Sequence, residues 1–262
     1  MFSFWQAAIL GLVEGVTEFL PISSTGHLIL AARVLGLAET EFLKSFQIII
    51  QLGAMAAVVG IFFRRLCSIE LLKRLLVAFL PTGILGLILY DLIKRYLLGN
   101  TAVTISMLGI GGLILLFFER FINRKHQIAN SAAELARLEN LPYKNVFIIG
   151  LCQAVAMVPG VSRSAATIVG AMLLGYDRKT AVEFSFLLAL PTILAATGFD
   201  LLHNWQSFSS NQFGILLIGF GVAGLSAVAA VKWLLGFVRR HSFRVFGVYR
   251  IALAVAFWLG LK

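Results

Sequence analysis

Two segments of this chain repeat the same interrupted apolar pattern, and this repeat restricts the fold more than any other feature. Ile9–Gly36 aligns without a gap to Ile148–Gly175 at a constant offset of 139, with nine of 28 positions identical. In each copy an apolar run is broken at a proline, passes through a short serine-rich stretch and is followed by a second apolar run. Broken hydrophobic segments at corresponding positions of two halves indicate a binding site near the middle of a bilayer.

The composition indicates an integral membrane protein. Sixty per cent of the 262 residues are hydrophobic and 13% are charged, whereas a soluble domain is about half apolar and about a quarter charged. Six further apolar stretches come close to the roughly 20 residues that a helix needs to cross a bilayer. These stretches are Phe42–Phe63, Leu75–Leu89, Thr101–Phe118, Thr180–Phe199, Phe213–Phe237 and Phe243–Leu261. The predicted fold class is therefore an all-α integral membrane protein.

The basic residues are placed as in a membrane protein. The formal net charge is +10, but most lysines and arginines lie between apolar stretches, which is the positive-inside pattern of cytoplasmic loops. The three groups are Arg64, Arg65, Lys73 and Arg74; Arg120, Arg124, Lys125, Arg137 and Lys144; and Arg239, Arg240 and Arg244. We therefore expect a lipid bilayer around the protein and no nucleic-acid partner.

Placing the three basic loops in the cytoplasm fixes the direction of every span. Ile148–Gly175 then enters and leaves from the cytoplasmic side, and Ile9–Gly36 from the outer side. The prediction is an inverted-topology repeat with six transmembrane helices plus two re-entrant helix pairs. This single membrane domain, residues 1–262, consists of repeat 1 (about 1–118), a cytoplasmic linker (about 119–144) and repeat 2 (about 145–262). Lys94 and Arg95 fall on the outer side and are the clear exception to the charge rule.

The first break carries two carboxylates. Glu14 and Glu18 are four residues apart and therefore share one helix face, where like charges repel. Between lipid tails this pair needs a cation, a proton or a basic partner. Two carboxylates that act with phosphate oxygens and water suit Mg²⁺ or Ca²⁺, so we expect Glu14 and Glu18 to bind a divalent cation as cofactor. The alternative is a protonated, hydrogen-bonded pair.

Hydroxyl groups and a histidine follow these carboxylates. Pro21 interrupts the first helix, and Ser23 or Ser24 suits the N-cap of the next helix, whose free N–H groups favour an anion. Because two serines and Thr25 exceed what one cap requires, we expect Ser23 and Thr25 to bind a phosphate group. Ser24 is the preferred nucleophile, with Glu18 or His27 as its base. The opposite assignment, direct attack by His27, stays open.

The second break carries an arginine instead. Arg163 lies in the first turn of the helix that follows Pro159 and a serine-rich turn. A cation is unfavourable at a helix N-terminus and at membrane depth, and a bound anion removes both penalties. Arginine also suits bidentate recognition of phosphate, so we expect Arg163 to take part in catalysis. The hydroxyls expected to bind phosphate beside it are those of Ser162, Ser164 and Thr167.

The two breaks are expected to meet, because irregular backbone at membrane depth needs cover from protein or from a polar cavity. Two opposed helix N-termini, an arginine, hydroxyls and two carboxylates then suit a phosphate or diphosphate bound with a divalent cation. Phosphoryl transfer requires mainly positioning and neutralisation of charge. Gln153 occupies the place of Glu14 in the second copy, and we expect its substitution to be tolerated far better.

These motifs resemble those of the undecaprenyl-diphosphate phosphatase family, also called the bacitracin-resistance protein family. An (E/Q)xxxE segment stands at Glu14–Glu18, an SSTGH-like break at Ser23–His27 and a PGxSRSxxT segment at Pro159–Thr167. The resemblance covers essentially the whole chain. It implies a multi-pass enzyme of the bacterial inner membrane that hydrolyses undecaprenyl diphosphate, a polyprenyl diphosphate lipid, to the monophosphate. It also implies recycling of the cell-wall lipid carrier, bacitracin resistance, divalent-cation dependence and an active site open to the periplasmic face.

Two other interpretations stay open. Inverted repeats with broken helices are common in transporters, so the same site could carry or flip a phosphorylated lipid or a small anion. The second alternative is a structural or assembly subunit, which leaves the polar breaks unexplained. The sequence does not decide the chain length of the lipid, the preferred metal or the oligomeric state, for which a homodimer is one alternative.

Overall fold

The computed structural model describes residues 2–89, 92, 100–125, 138–204 and 212–260. Within these ranges every regular element is helical. The α-helices are α1 (Phe4–Thr17), α2 (Ser24–Val34), α3 (Glu41–Leu66), α4 (Ile69–Ile88), α5 (Thr101–Lys125), α6 (Tyr143–Val155), α7 (Arg163–Leu173), α8 (Arg178–Asn204), α9 (Gln212–Phe237) and α10 (Arg244–Gly260). Lys94 and Arg95, the predicted exception to the charge rule, lie outside the described residues.

Among the described helices, five are long and apolar enough to cross a bilayer, namely α3, α4, α5, α8 and α9. The protein is thus an all-α, multi-pass membrane protein, as its composition predicted. The sixth predicted span corresponds to α10, whose 17 described residues extend about 25 Å. Helix α4 begins earlier than its apolar stretch, because the Ser68 side chain accepts a hydrogen bond from the Leu71 N–H and caps the helix.

The two aligned segments form two broken helix pairs, α1–α2 and α6–α7. Each pair consists of a helix of 14 or 13 residues, a short irregular connection, and a helix of 11 residues. The two ends of each pair are tied together: the Gln6 amide donates to the Leu35 carbonyl at 3.1 Å, and the Asn145 amide donates to the Tyr176 hydroxyl at 2.7 Å. Gln6 and Asn145 are separated by the repeat offset of 139. Both pairs therefore fold back on themselves in the same way.

The helix ends that flank the basic loops lie together at one end of the bundle, here called the basic end. The Glu119 carboxylate of α5 accepts from Arg178 of α8 at 2.8 Å and from the Phe243 N–H, just before α10, at 2.9 Å. Arg65, at the end of α3, donates to Glu183 of α8 at 2.7 Å. These contacts join α3, α5, α8 and α10 at the same end.

The two broken pairs lie at opposite ends of the bundle. Arg74, near the start of α4, donates to the Leu141 carbonyl at 2.8 Å and lies over the Tyr143 ring, which places the start of α6 at the basic end. The pair α6–α7 returns there, because Arg178 follows it directly. The pair α1–α2 instead precedes the far end of α3, a helix of 26 residues that is about 39 Å long.

Close helix packing places the two breaks. A Cβ atom on Gly11 of α1 would lie 2.5 Å from the Gly219 carbonyl oxygen of α9, and one on Gly150 of α6 would lie 2.0 Å from the Ala78 carbonyl oxygen of α4. Gly11 and Gly150 are again 139 residues apart. Small residues allow membrane helices to approach this closely, so the first helix of each pair is fixed against a long helix from the other half of the chain.

Candidate active site

The two breaks contact each other in the interior of the bundle. The hydroxyl of Ser164, in α7, donates to the Leu20 carbonyl of the first break at 2.7 Å. The Arg250 guanidinium donates to Pro21 in the first break at 3.3 Å and to Gly160 in the second at 2.7 Å. Side chains from both halves therefore surround one region, as the need to cover irregular backbone predicted.

Each break contains one serine in an unusual backbone conformation. Ser23 has φ 69° and Ser162 has φ 76°, and among the described residues they are the only non-glycine residues with positive φ. Both cap the following helix: the Ser23 hydroxyl accepts from the Gly26 N–H, and the Ser162 hydroxyl from the Ala165 N–H. Such conformations cost about 1–3 kcal/mol and cluster at functional sites.

An ion pair links the chemistry of the two breaks. The Glu18 carboxylate accepts a hydrogen bond from the Arg163 guanidinium at 3.0 Å through Oε1, and from the Ser24 hydroxyl through Oε2. The side chain of Glu18 is 6% exposed and that of Arg163 14%. Arg163 also donates to the Ser185 carbonyl at 3.0 Å. The partner that Glu18 needs at membrane depth is thus an arginine from the other half of the chain.

Ser24 is the first residue of α2 and lies directly beside a base. Because its hydroxyl donates to the Glu18 carboxylate, the Ser24 proton already points at a group that can accept it. The lone pairs of the Ser24 oxygen remain available to attack an electrophile at the start of α2. This is the arrangement of an activated nucleophile and an adjacent general base.

His27 is held by hydrogen bonds on both ring nitrogens. Nδ1 lies 2.8 Å from the Ser23 carbonyl oxygen, and Nε2 lies 2.7 Å from the Tyr249 hydroxyl. A carbonyl only accepts, so Nδ1 carries the proton and Nε2 accepts from Tyr249. His27 does not line the cavity that Ser24 lines. In this conformation His27 orients the strained Ser23 backbone, and Tyr249 of α10 is a partner that the sequence did not reveal.

Glu14 differs from Glu18 in having no hydrogen-bond partner that meets the usual geometry among the described residues. Its side chain is fully buried, and neither carboxylate oxygen has a hydrogen-bond partner among the described residues. A buried carboxylate without compensation is strongly unfavourable, so Glu14 requires a proton or a cation. The part of the chain that the structure describes holds no cluster of three or more His, Cys, Asp or Glu side chains. Phosphate oxygens and water would have to complete the shell of any cation bound by Glu14 and Glu18.

A cavity of about 180 Å³ lies between the breaks. Of the predicted site residues, those that line it are Glu18, Ser23, Ser24, Thr25, Ser162 and Arg163. Those that do not line it are Glu14, His27, Ser164 and Thr167. The Ser164 hydroxyl is bonded to the Leu20 carbonyl, and the Thr167 hydroxyl lies 2.6 Å from that of Ser185. Ser164 and Thr167 therefore contribute to holding the second break in place.

A second part of the cavity wall was not predicted. It is formed by the polar side chains of Gln51, Thr82, Gln153 and Thr192, from α3, α4, α6 and α8. A signal for part of it exists in the sequence. Pro-Thr occurs twice within apolar helices, at Pro81 and at Pro191, and a proline and a hydroxyl together within a membrane span are typical of a polar interior.

Arg250 is a further residue of the site that was not predicted from the sequence. It is fully buried and donates five hydrogen bonds, all to backbone carbonyl oxygens. The acceptors are Pro21, Met107, Leu108, Gly160 and Val161. Carbonyls freed by a helix break in a bilayer need donors from protein, and Arg250 supplies them to both breaks at once. The signal that identifies it is an arginine in the interior of the apolar stretch Phe243–Leu261, six residues beyond Arg244 at its start.

Comparison with known proteins places the chain in a family. The family model described as bacitracin resistance protein BacA matches residues 7–256. The undecaprenyl-diphosphatase of Aquifex aeolicus is 48% identical over 254 residues, which cover 97% of this chain and 96% of that protein. The undecaprenyl-diphosphatases of a Sulfurihydrogenibium species and of Thermus thermophilus are 50% and 47% identical, covering 97% of this chain and 98% and 96% of those proteins. With matches over nearly its whole length, the chain belongs to the bacitracin resistance protein BacA family.

Proposed function

We propose that this protein is an undecaprenyl-diphosphatase, which hydrolyses undecaprenyl diphosphate to undecaprenyl phosphate and inorganic phosphate. The reaction returns the lipid carrier of cell-wall synthesis to use and gives resistance to bacitracin. The observation that supports this most strongly is the Ser24–Glu18–Arg163 arrangement, in which a nucleophile, a base and a phosphate-binding cation from both breaks face one cavity. The names of the similar proteins supply the identity of the lipid.

The Ser24 hydroxyl oxygen attacks the terminal phosphorus while Glu18 takes the hydroxyl proton. The bond between that phosphorus and the bridging oxygen breaks, and undecaprenyl phosphate leaves with the bonding electrons. A water molecule then attacks the phosphoserine: its oxygen bonds to phosphorus, the Ser24 oxygen leaves with the bonding electrons and takes the proton back from Glu18, and both water hydrogens leave with the released phosphate. One water is consumed for each phosphate released.

Arg163 and the N-termini of α2 and α7 stabilise the negative charge of the phosphate during this reaction. A guanidinium has five N–H donors, and the contacts to Glu18 and Ser185 use two nitrogens. The other donors and the N–H groups at the starts of α2 and α7 favour phosphate oxygens. The hydroxyls that line the cavity beside them belong to Ser23, Thr25 and Ser162.

Glu14 and Glu18 are the residues that would hold a divalent cation, Mg²⁺ or Ca²⁺. The support for this assignment is Glu14, a buried carboxylate whose two oxygens have no partner among the described residues. When bound, the cation neutralises charge on the diphosphate. Glu14 lies in the last turn of α1, and Glu18 caps the end of that helix where the first break begins.

We place the protein in the bacterial inner membrane with its basic end in the cytoplasm. Arg65 and Arg178 bond to acidic side chains at that end, and the positive-inside rule favours this orientation. The pair α6–α7 then enters from the cytoplasm and α1–α2 from the outer face, as two re-entrant pairs of an inverted repeat with six spans. The site opens to the periplasmic face, where Ser24 meets the lipid diphosphate.

Phosphate release by purified full-length protein in detergent, with no ion gradient, tests the proposed function. Undecaprenyl diphosphate should yield inorganic phosphate, and a chelator should stop the reaction until Mg²⁺ or Ca²⁺ is returned. Arg163→Ala, purified in parallel, controls for contaminating phosphatases. No release above that control would reject the enzyme and favour a transporter; release insensitive to chelator would reject the cation.

A further inference from the structure

The amide of Gln153 is fixed in one orientation by two threonines. Gln153 Nε2 donates to the hydroxyl oxygens of Thr82 and Thr192, both at 3.0 Å. The hydroxyl of Thr82 in turn donates to the Gly150 carbonyl at 3.2 Å, and that of Thr192 to the Leu188 carbonyl at 3.0 Å. Because both hydroxyl hydrogens are used in this way, both threonine oxygens accept from the amide, and the nitrogen of Gln153 is the atom that faces them.

This orientation leaves an unused acceptor on a side chain that lines the cavity. Gln153 is 1% exposed, and its Oε1 has no hydrogen-bond partner among the described residues. Gln153, Thr82 and Thr192 line the same cavity as Ser24 and Arg163. A buried acceptor without a donor is unfavourable. The Gln153 carbonyl oxygen therefore suits a bound molecule that donates a hydrogen bond from an O–H group.

The two walls of the cavity therefore differ in what they recognise. Arg163 and the helix N-termini donate hydrogen bonds and favour any tetrahedral oxyanion. The Gln153 carbonyl only accepts, so it favours an oxyanion that still carries a proton. Near neutral pH inorganic phosphate carries at least one P–OH group, whereas sulfate has the same shape and carries none.

We propose that Gln153, oriented by Thr82 and Thr192, forms a second subsite that accepts a hydrogen bond from the P–OH of a phosphate group. The occupant is the phosphate released by the reaction or the terminal phosphate of the lipid. The subsite makes the cavity selective for protonated phosphate over fully ionised oxyanions. This inference rests on the proposed function in one respect, that the cavity is a phosphate site, and it does not depend on which group is the nucleophile.

Equilibrium binding of inorganic phosphate and of sulfate to the detergent-solubilised full chain tests the subsite without turnover. By titration calorimetry at neutral pH, the unmodified protein should bind phosphate at least about tenfold more tightly than sulfate. Gln153→Met keeps the length of the side chain and removes the acceptor, so the Kd for phosphate should rise about tenfold while that for sulfate changes less than about twofold. Equal losses for both anions, or no preference in the unmodified protein, would overturn the subsite.

Two threonine variants separate the subsite from general packing. Thr192→Val removes one of the oxygens that hold the amide, and should lower the phosphate-over-sulfate ratio by about threefold. Thr197→Val makes the same change in the same helix at a buried threonine that does not line the cavity, and should leave the ratio unchanged. Equal effects of the two variants would overturn the role of Thr192.

Kinetics with the lipid identifies the occupant. If the terminal phosphate of the lipid uses the subsite, Gln153→Met should raise KM as well as the inhibition constant of phosphate. If only the product uses it, the inhibition constant should rise and KM should not. A protein that binds phosphate selectively but releases none from the lipid would keep the subsite and reject the proposed reaction. The sequence alone predicted tolerance at Gln153; its place in the cavity predicts this selective loss instead.

Discussion

The first broken pair and the second have closely similar backbones and opposite charges. Ser23 and Ser162, which are 139 residues apart, adopt the same rare conformation and cap helices of 11 residues each. The next position is Ser24 in the first pair and Arg163 in the second. One scaffold thus presents a hydroxyl at one helix N-terminus and a guanidinium at the other, and in the proposed function a phosphate between them contacts both.

The carboxylate positions extend the same comparison. Glu14 and Gln153 are equivalent in the two copies, and both are buried with at least one oxygen that has no hydrogen-bond partner among the described residues. Glu14 suits a cation or a proton, whereas Gln153 is a neutral acceptor held by threonines. The two copies thus share a backbone arrangement and differ in the chemistry of their side chains.

The largest effect is expected at Arg163. Arg163→Ala should lower kcat/KM by about 1,000-fold, since it removes the cation that neutralises the transferred phosphate. Arg163→Lys keeps the charge and loses the planar fork, so most of this loss should remain. Near-normal phosphate release by Arg163→Lys would mean that the second break supplies only diffuse positive charge.

Ser24→Ala should lower kcat by at least about 100-fold if Ser24 is the nucleophile. Ser45→Ala, at a buried serine of α3 that does not line the cavity, is the matched control and should be as active as the unmodified protein. Rapid quench and mass spectrometry should find an acid-stable phosphoryl adduct on Ser24. An acid-labile adduct on His27 would reverse the two roles, and solvent oxygen in the phosphate with no adduct would indicate direct attack by water.

Glu18→Gln and Glu14→Gln should each lower kcat by at least about tenfold. Glu18 should be the more sensitive, because it contacts both Ser24 and Arg163. If Glu14 binds a cation, excess Mg²⁺ or Ca²⁺ should recover part of the activity of Glu14→Gln and none of that of Glu18→Gln. Turnover like that of the unmodified protein in both variants, at matched metal concentration, would remove the carboxylates from the mechanism.

The smallest effect concerns the shared backbone. Glycine adopts positive φ without strain and costs only a few tenths of a kcal/mol as an N-cap. Ser23→Gly and Ser162→Gly should therefore each raise the Tm in detergent by about 2 °C. Equal shifts would support equivalent strain in the two breaks; a decrease at one position only would show that the backbones differ.

Much of the fold followed from the sequence for a simple physical reason. Apolar stretches as long as Phe42–Phe63 have few alternatives to a membrane helix, and the two breaks were marked by Pro21, Pro159 and their serines. Helix ends were less predictable, because charged residues near a helix start, such as Glu70, Lys73 and Arg74 of α4, resemble a loop in the sequence. Whether α10 spans the bilayer depends on packing and depth, which no local pattern encodes.

Some residues of the site could likewise be predicted from the sequence, and others could not. Glu18, Ser24 and Arg163 could be identified because charged and hydroxyl groups between apolar runs are unfavourable in a membrane unless they have a partner or a ligand. The pairing of Glu18 with Arg163, and the engagement of His27 by Tyr249, depend on side chains far apart in the chain. The place of Gln153 in the cavity wall and the role of Arg250 were not predicted, because each depends on contacts that only the fold creates.

The most direct test of the central claim, that two breaks form one hydrolytic site, is a double-mutant cycle on phosphate release from undecaprenyl diphosphate. The kcat/KM of the unmodified protein is compared with those of Glu18→Gln, Arg163→Ala and the double variant. Residues that act as a unit have strongly non-additive effects, so the double variant should fall within about threefold of the worse single variant. Losses that multiply would show that the two breaks act independently and would contradict the account.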